Sequence, residues 1–164
     1  MQSPQAIEAF AEVGKAVLVS QNLEKLLIEL LEFRKLHQDF DYATSTNGEM
    51  TPEMYKLNLT NGVKRLRTQN AIHPSLDKAL VQYIEDRHVL VHRWALNFGI
   101  PDDEDARAWQ TLRSHANSVL RQAAKLYSFF TSYIAEHAPI EVAAKDYAGY
   151  QARMLSMFNR EYPI

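Results

Sequence analysis

Arg87 and His92 are the residues whose types and spacing could carry chemistry. They stand in the run Glu85-Asp86-Arg87-His88-Val89-Leu90-Val91-His92-Arg93-Trp94. A histidine side chain ordinarily changes charge near neutral pH, so it can take a proton from a ribose 2′-hydroxyl or return one to a leaving oxygen. An arginine is a permanent cation with a fork of donors that fits phosphate oxygens as charge builds on them. Phosphodiester cleavage in RNA needs these two groups. His88, a polar residue directly after the arginine, could orient or assist. The candidate catalytic residues are therefore Arg87, His88 and His92.

The helix that carries them has to position them. Leu76, Leu80, Ile84, Val91, Trp94 and Phe98 recur at spacings of three and four, except across one gap, and Arg87 occupies that gap. A cation on an apolar seam is costly unless it is paired or faces a cleft. Arg87 therefore either pairs with a carboxylate of a neighbouring helix, reaches the rim, or faces a site. Five residues along an ideal helix amount to a rotation of about 140°, so Arg87 and His92 do not share a face, whereas His88 and His92 do. A long arginine side chain, a local helix distortion or a partner subunit must close the site.

Arg87, Leu90, His92 and Trp94 follow the form Arg-Asn-x-Leu-x-His with a later aromatic, His88 standing in place of the commoner Asn. Together with the stretch around Gly14 and Gln21-Asn22-Leu23-Glu24, this resembles the HEPN superfamily of small helical bundles. The resemblance covers roughly residues 7–135, with a C-terminal helix over 140–158 appended to a single domain of 1–164. It implies a metal-independent endoribonuclease in which His92 performs acid–base catalysis and Arg87 stabilises the phosphate, leaving a 2′,3′-cyclic phosphate or its hydrolysis product. It also implies a homodimer with both motifs facing one cleft, RNA as substrate, a toxin or phage-defence role and a cognate antitoxin protein. The alternative from another class is a non-catalytic dimerisation module in which the same motif only builds an interface.

Other constellations are weaker. Arg67 and His73 also form an Arg–His pair, but His73 precedes Pro74 in an expected loop, which holds no geometry. Lys64, Arg65 and Arg67, with Arg93, are candidate contacts to an RNA backbone, although a charge run on a helix is ordinarily a solvated face. Arg113, His115, Arg121 and Lys125 decorate the fourth helix in the same way. Tyr127, Phe129, Phe130 and Tyr133 could stack bases but at helical spacing read as core. Glu85, His88 and His92 share a face, yet no second Glu-x-x-His completes a di-iron set, so no metal is expected. No phosphate-binding glycine loop, nucleophile elbow or Cys/His finger is present, and no cofactor is expected.

Composition limits what can hold these groups. The 164 residues suit one domain, and 46% apolar with 23% charged residues is a globular mixture. Cysteine is absent, which excludes thiol catalysis, disulfides and thiolate metal sites and fits a reducing, cytoplasmic compartment. A net charge of −2 makes any nucleic-acid contact local. The opening MQSPQAIEAF lacks the basic and apolar regions of a signal peptide, and no apolar run spans a bilayer.

Cap-plus-proline pairs at Ser3-Pro4 and Thr51-Pro52 start helices that run to about Leu36 and Thr68. Ile7, Phe10, Val13, Val17 and five later leucines pattern the first, and Gly14 marks a kink or a close contact. A third helix runs from Ser75 to Gly99, a fourth from the acidic Asp102–Asp105 to Glu136, and Asp41–Met50 is a loop. The expectation is an all-α bundle of about five helices.

Overall fold

The computed structural model describes residues 3–56, 58–138 and 140–163, and among them it is all-α, with no strand. The helices are α1 (Pro4–Gln38), α2 (Phe40–Ser45), α3 (Leu59–Thr68), α4 (Pro74–His88), α5 (Trp94–Phe98), α6 (Ala106–His137), α7 (Ile140–Lys145) and α8 (Tyr147–Ser156). Short 3-10 turns cover Pro52–Lys56 and Met157–Asn159, and a turn of π-helix, Val89–Arg93, joins α4 to α5.

Side-chain caps set the helix starts. Ser3 accepts from the Ala6 amide, Asp105 from Ala108 and Asp146 from Gly149, each supplying an acceptor for an N–H that has none within its helix. These caps also divide segments expected to be continuous. Asn58 caps α3 at the Thr60 amide, so the segment from Thr51 is a 3-10 turn and then a separate helix. Asp146 likewise separates α7 from α8 within the expected C-terminal helix. The expected loop of Asp41–Met50 begins inside α2, because Asp39 caps the Tyr42 amide.

The two long helices run in the same direction. Glu8 pairs with Arg113 at one end, while at the other Arg34 and Tyr133 both donate to α8 carbonyls, of Leu155 and Arg153. Helix α4 runs antiparallel to α6. Its first turn meets Tyr162, which packs on Phe129, and its last turn meets His115. Between them lie Leu23, Leu27, Leu76, Leu80, Tyr83, Val119, Leu126 and Phe130, all buried. Each large aliphatic side chain so buried contributes about 1.5–3 kcal/mol.

Two core expectations are corrected. In the first half of α1 the buried residues are Ala6, Ala9 and Ala16, whereas Ile7 and Phe10 are about half exposed. Alanines let α1 approach α6 closely at Ala116 and Ala123, and the larger side chains turn outward. Along α4 and the π turn after it the fully buried face reads Leu76, Leu80, Tyr83 and then Leu90; Ile84 packs partly buried against it, and Val91 and Phe98 are exposed. Gly14 is neither kink nor contact, since α1 is continuous there and open space surrounds the position of a Cβ.

Candidate active site

Spacings of four and three continue the buried face of α4 from Leu76, Leu80 and Tyr83 to Arg87 and Leu90. Arg87 thus points inward from a core-facing position, toward α1, and meets Glu24. Its Nη2 donates to Glu24 Oε2 at 3.1 Å. Its Nε lies 2.8 Å from Oε1 but makes no aligned hydrogen bond to it. One directed bond and the charge attraction hold the pair. Both side chains remain about a quarter exposed, so the pair is worth about 1 kcal/mol.

Glu24 takes the Nε side of the guanidinium and leaves Nη1 on the other side. Nη1 lies 3.5 Å from His92 Nε2. Guanidinium only donates, so Nε2 is the accepting nitrogen in this contact. The π turn between the two residues makes the contact possible. An i→i+5 turn brings residues five apart nearly one above the other, where an α-helix would leave them far around the cylinder. Of the three ways to close the site, a local helix distortion is the one present within the chain.

His115 of α6 braces this distortion. Its Nε2 lies 2.9 Å from the Asp86 carbonyl oxygen, just before the π turn, and its ring packs on Trp94, just after it, with centroids 5.5 Å apart. On the α1 side, the Tyr83 hydroxyl donates to the Ser20 carbonyl at 3.4 Å and lies beside Glu24. Burial pushes Tyr83 up to about 12, so it remains a neutral donor. Burial also raises the Glu24 carboxyl above its usual range, opposed by Arg87, the Tyr83 hydrogen bond and His92.

His88 lies beside His92, with ring centroids 5.1 Å apart, and turns toward a second surface. There, with Glu85, Lys64, Arg67 and Arg93, it lines an open cleft of about 390 Å³ between α3 and the end of α4. The structure thus gathers three of the four basic candidates, while Arg65 faces away, into a larger cleft on the other side of α3. Arg67 is already engaged, donating from Nε and Nη2 to both oxygens of Asp77 at 2.9 and 2.8 Å.

Of the other candidates, Tyr127 is exposed rather than core, Arg121 and Lys125 are exposed too, and Phe129 is partly buried. His73 caps α4 by accepting from the Ser75 amide, Phe130 and Tyr133 are buried, and Arg113 pairs with Glu8 at 2.7 Å. Glu85, His88 and His92 do not form a ligand set, and among the described residues no group of three or more such side chains is placed to hold a metal.

Tyr83 is the site residue that sequence reasoning missed; Glu24 was named only within the stretch Gln21–Glu24, and His115 only among the polar residues decorating the fourth helix. The one available signal was Arg87 on a buried stripe, which calls for a carboxylate on a facing helix without saying which. No protein-family model, curated protein or solved structure matches the chain.

Proposed function

We propose that the chain is a metal-independent endoribonuclease that cleaves RNA by 2′-hydroxyl attack. The observation that carries this reading is the 3.5 Å approach of Arg87 Nη1 to His92 Nε2 across a π turn. A helix distorted so that a phosphate-binding fork and an exposed imidazole meet is a feature that folding alone does not require. Turns of this kind frequently occur at functional sites.

In the proposed reaction a phosphate oxygen sits on the free side of the Arg87 guanidinium. His92 takes the 2′-hydroxyl proton and returns it to the 5′ oxygen as it leaves. The 2′ oxygen bonds to phosphorus as the P–O5′ bond breaks, giving a 2′,3′-cyclic phosphate and a 5′-hydroxyl. Lys64, Arg93 and His88, around their shared cleft, are suited to hold the flanking backbone. Val91, Leu96, Phe98 and Ile100, all exposed beside the motif, favour a homodimer that buries this face. The resemblance to HEPN proteins agrees with this assembly and with a toxin or defence role.

The test is cleavage of cellular RNA by the purified chain. Cleavage should persist in EDTA, fail on DNA and on 2′-O-methyl RNA, and be abolished by His92→Ala with helicity unchanged. Equal cleavage of DNA, or EDTA-sensitive cleavage, would overturn the mechanism. A second reading, a non-catalytic interaction module, is favoured by the Glu24 partner that already occupies one side of Arg87. Inactivity of a well-folded dimer would decide for it.

A further inference from the structure

A cleft of about 810 Å³ opens on the opposite side of α3 from His88, between the last third of α1, α2, the Pro52–Lys56 turn and α3. Glu32 lies in its wall and is only 4% exposed. Among the described residues no cation pairs with it and its one hydrogen bond is at Oε1, from the Tyr42 hydroxyl. Its nearest basic neighbour on the helix, Lys35, is placed instead over the Tyr42 ring, 3.1 Å from the centroid. A buried carboxylate with a single neutral donor retains unused acceptor capacity, in surroundings where meeting it is favourable.

The rest of the lining describes what could meet it. Leu31, Met54 and Leu66 are apolar surfaces suited to a flat ring. Arg65 stands at the rim on α3, exposed and with no ion-pair partner among the described residues, and can hold an anion. The acids on the rim lie elsewhere: Asp39 and Asp41 on the α2 side, and Glu53 next to Lys56, 3.5 Å away.

We propose that this cleft binds a guanine nucleotide, free or within an RNA chain, with Glu32 accepting from the base N1–H and N2–H and Arg65 holding the phosphate. Guanine alone among the four bases presents two adjacent donors on its pairing edge. Adenine and cytosine set a donor beside an acceptor, and uracil flanks its donor with two carbonyls, each of which a carboxylate repels. A cleft of this volume lies within the range of small-molecule sites. The site goes beyond the cleavage reading and does not depend on it, because binding is measured without turnover.

The full chain is titrated with GMP, AMP and guanosine by calorimetry and by 1H–15N NMR. GMP should bind saturably and shift the amides of Leu31, Gly62 and Arg65. AMP should bind at least roughly tenfold more weakly, the loss expected when a charged hydrogen-bond pair is not made. Glu32→Gln, close to isosteric, should cost GMP at least roughly tenfold. Arg65→Glu, at an exposed position that cannot disturb the core, should weaken GMP and leave guanosine unchanged. Should Glu32→Gln not fold, the AMP comparison and Arg65→Glu decide. Tighter binding of a guanine-containing tetranucleotide than of GMP identifies RNA as the source, and the reverse identifies the free nucleotide. Absence of saturable GMP binding, equal binding of AMP, or affinity unmoved by both variants would overturn the proposal.

Discussion

The guanidinium of Arg87 lies between the carboxylate of Glu24 and the imidazole of His92, hydrogen-bonded to the first at 3.1 Å and 3.5 Å from the second. Glu24 is 63 residues away in the chain and His92 five, so one neighbour comes from tertiary packing and the other from a local change of helix type. The carboxylate fixes the orientation of the fork and leaves its remaining donors on the histidine side.

The π turn is a direct target. Deleting Arg93, which follows His92, should restore a regular α-helix through Val89–His92 and leave His92 five residues and about 140° around the helix from Arg87. RNA cleavage should be lost while circular dichroism still reports a folded helical protein. His115→Ala, which removes the brace on Asp86 and Trp94, should lower activity in the same direction but less. Full activity in the deletion variant would show that the Arg87–His92 contact is unused.

Arg87→Lys keeps the charge and loses the fork. The ammonium can face Glu24 or a phosphate but cannot hold both in one plane. Single-turnover cleavage should fall by about 100-fold, the scale for losing one directed donor to a developing anion. Thermal unfolding should change little, because the ion pair with Glu24 can re-form.

Glu24 makes stability depend on pH with a definite sign. Its carboxyl is raised in the folded state, chiefly by burial, so the folded chain binds its proton more tightly than the unfolded chain. The stability this contributes is fully present below the unfolded value near 4.5 and is lost as pH rises through the raised folded value. Urea unfolding of the wild type should show this decline on the alkaline side of 4.5, and Glu24→Gln should lack it. An identical pH profile in the two proteins would refute the coupling.

Tyr42 and Tyr83 should ionise well above the ordinary tyrosine value near 10. The hydrogen bond to Glu32 and partial burial push Tyr42 up to about 12, and burial, helped by the Glu24 carboxylate, pushes Tyr83 up to about 12. An alkaline absorbance titration should show a late class of tyrosines, and Tyr42→Phe should remove one member. Stability contributed by these phenols is complete below their ordinary value near 10 and lost as pH rises through about 12.

Much of the architecture was legible in the residues. Ser3-Pro4, the acidic run ending at Asp105 and Gly99 place helix boundaries through local hydrogen bonding and backbone preference, which act over a few residues and so can be read without a fold. The all-α class follows from uninterrupted three-and-four spacing for the same reason. Arg87 on an apolar stripe already required a partner or a cleft.

What packing decided was everything that depends on a second element. Periodicity could not separate Val91 and Phe98 from Tyr83 and Leu90 as the buried face of α4 and its π turn, because both sets recur at helical spacing and only the approach of α1 and α6 selects between them. It could not choose alanines over Ile7 and Phe10 in α1, where close helix approach outweighs side-chain hydrophobicity. The π turn was invisible for a related reason. No residue in Val89–Arg93 prefers i→i+5 pairing, and the turn is braced by His115 from α6, a contact that exists only once the bundle has assembled. Glu24 and Glu32, carboxylates on one helix that read alike in sequence, acquired opposite surroundings: α4 supplied a guanidinium to the first, and the second was left facing an open cleft with a tyrosine hydroxyl.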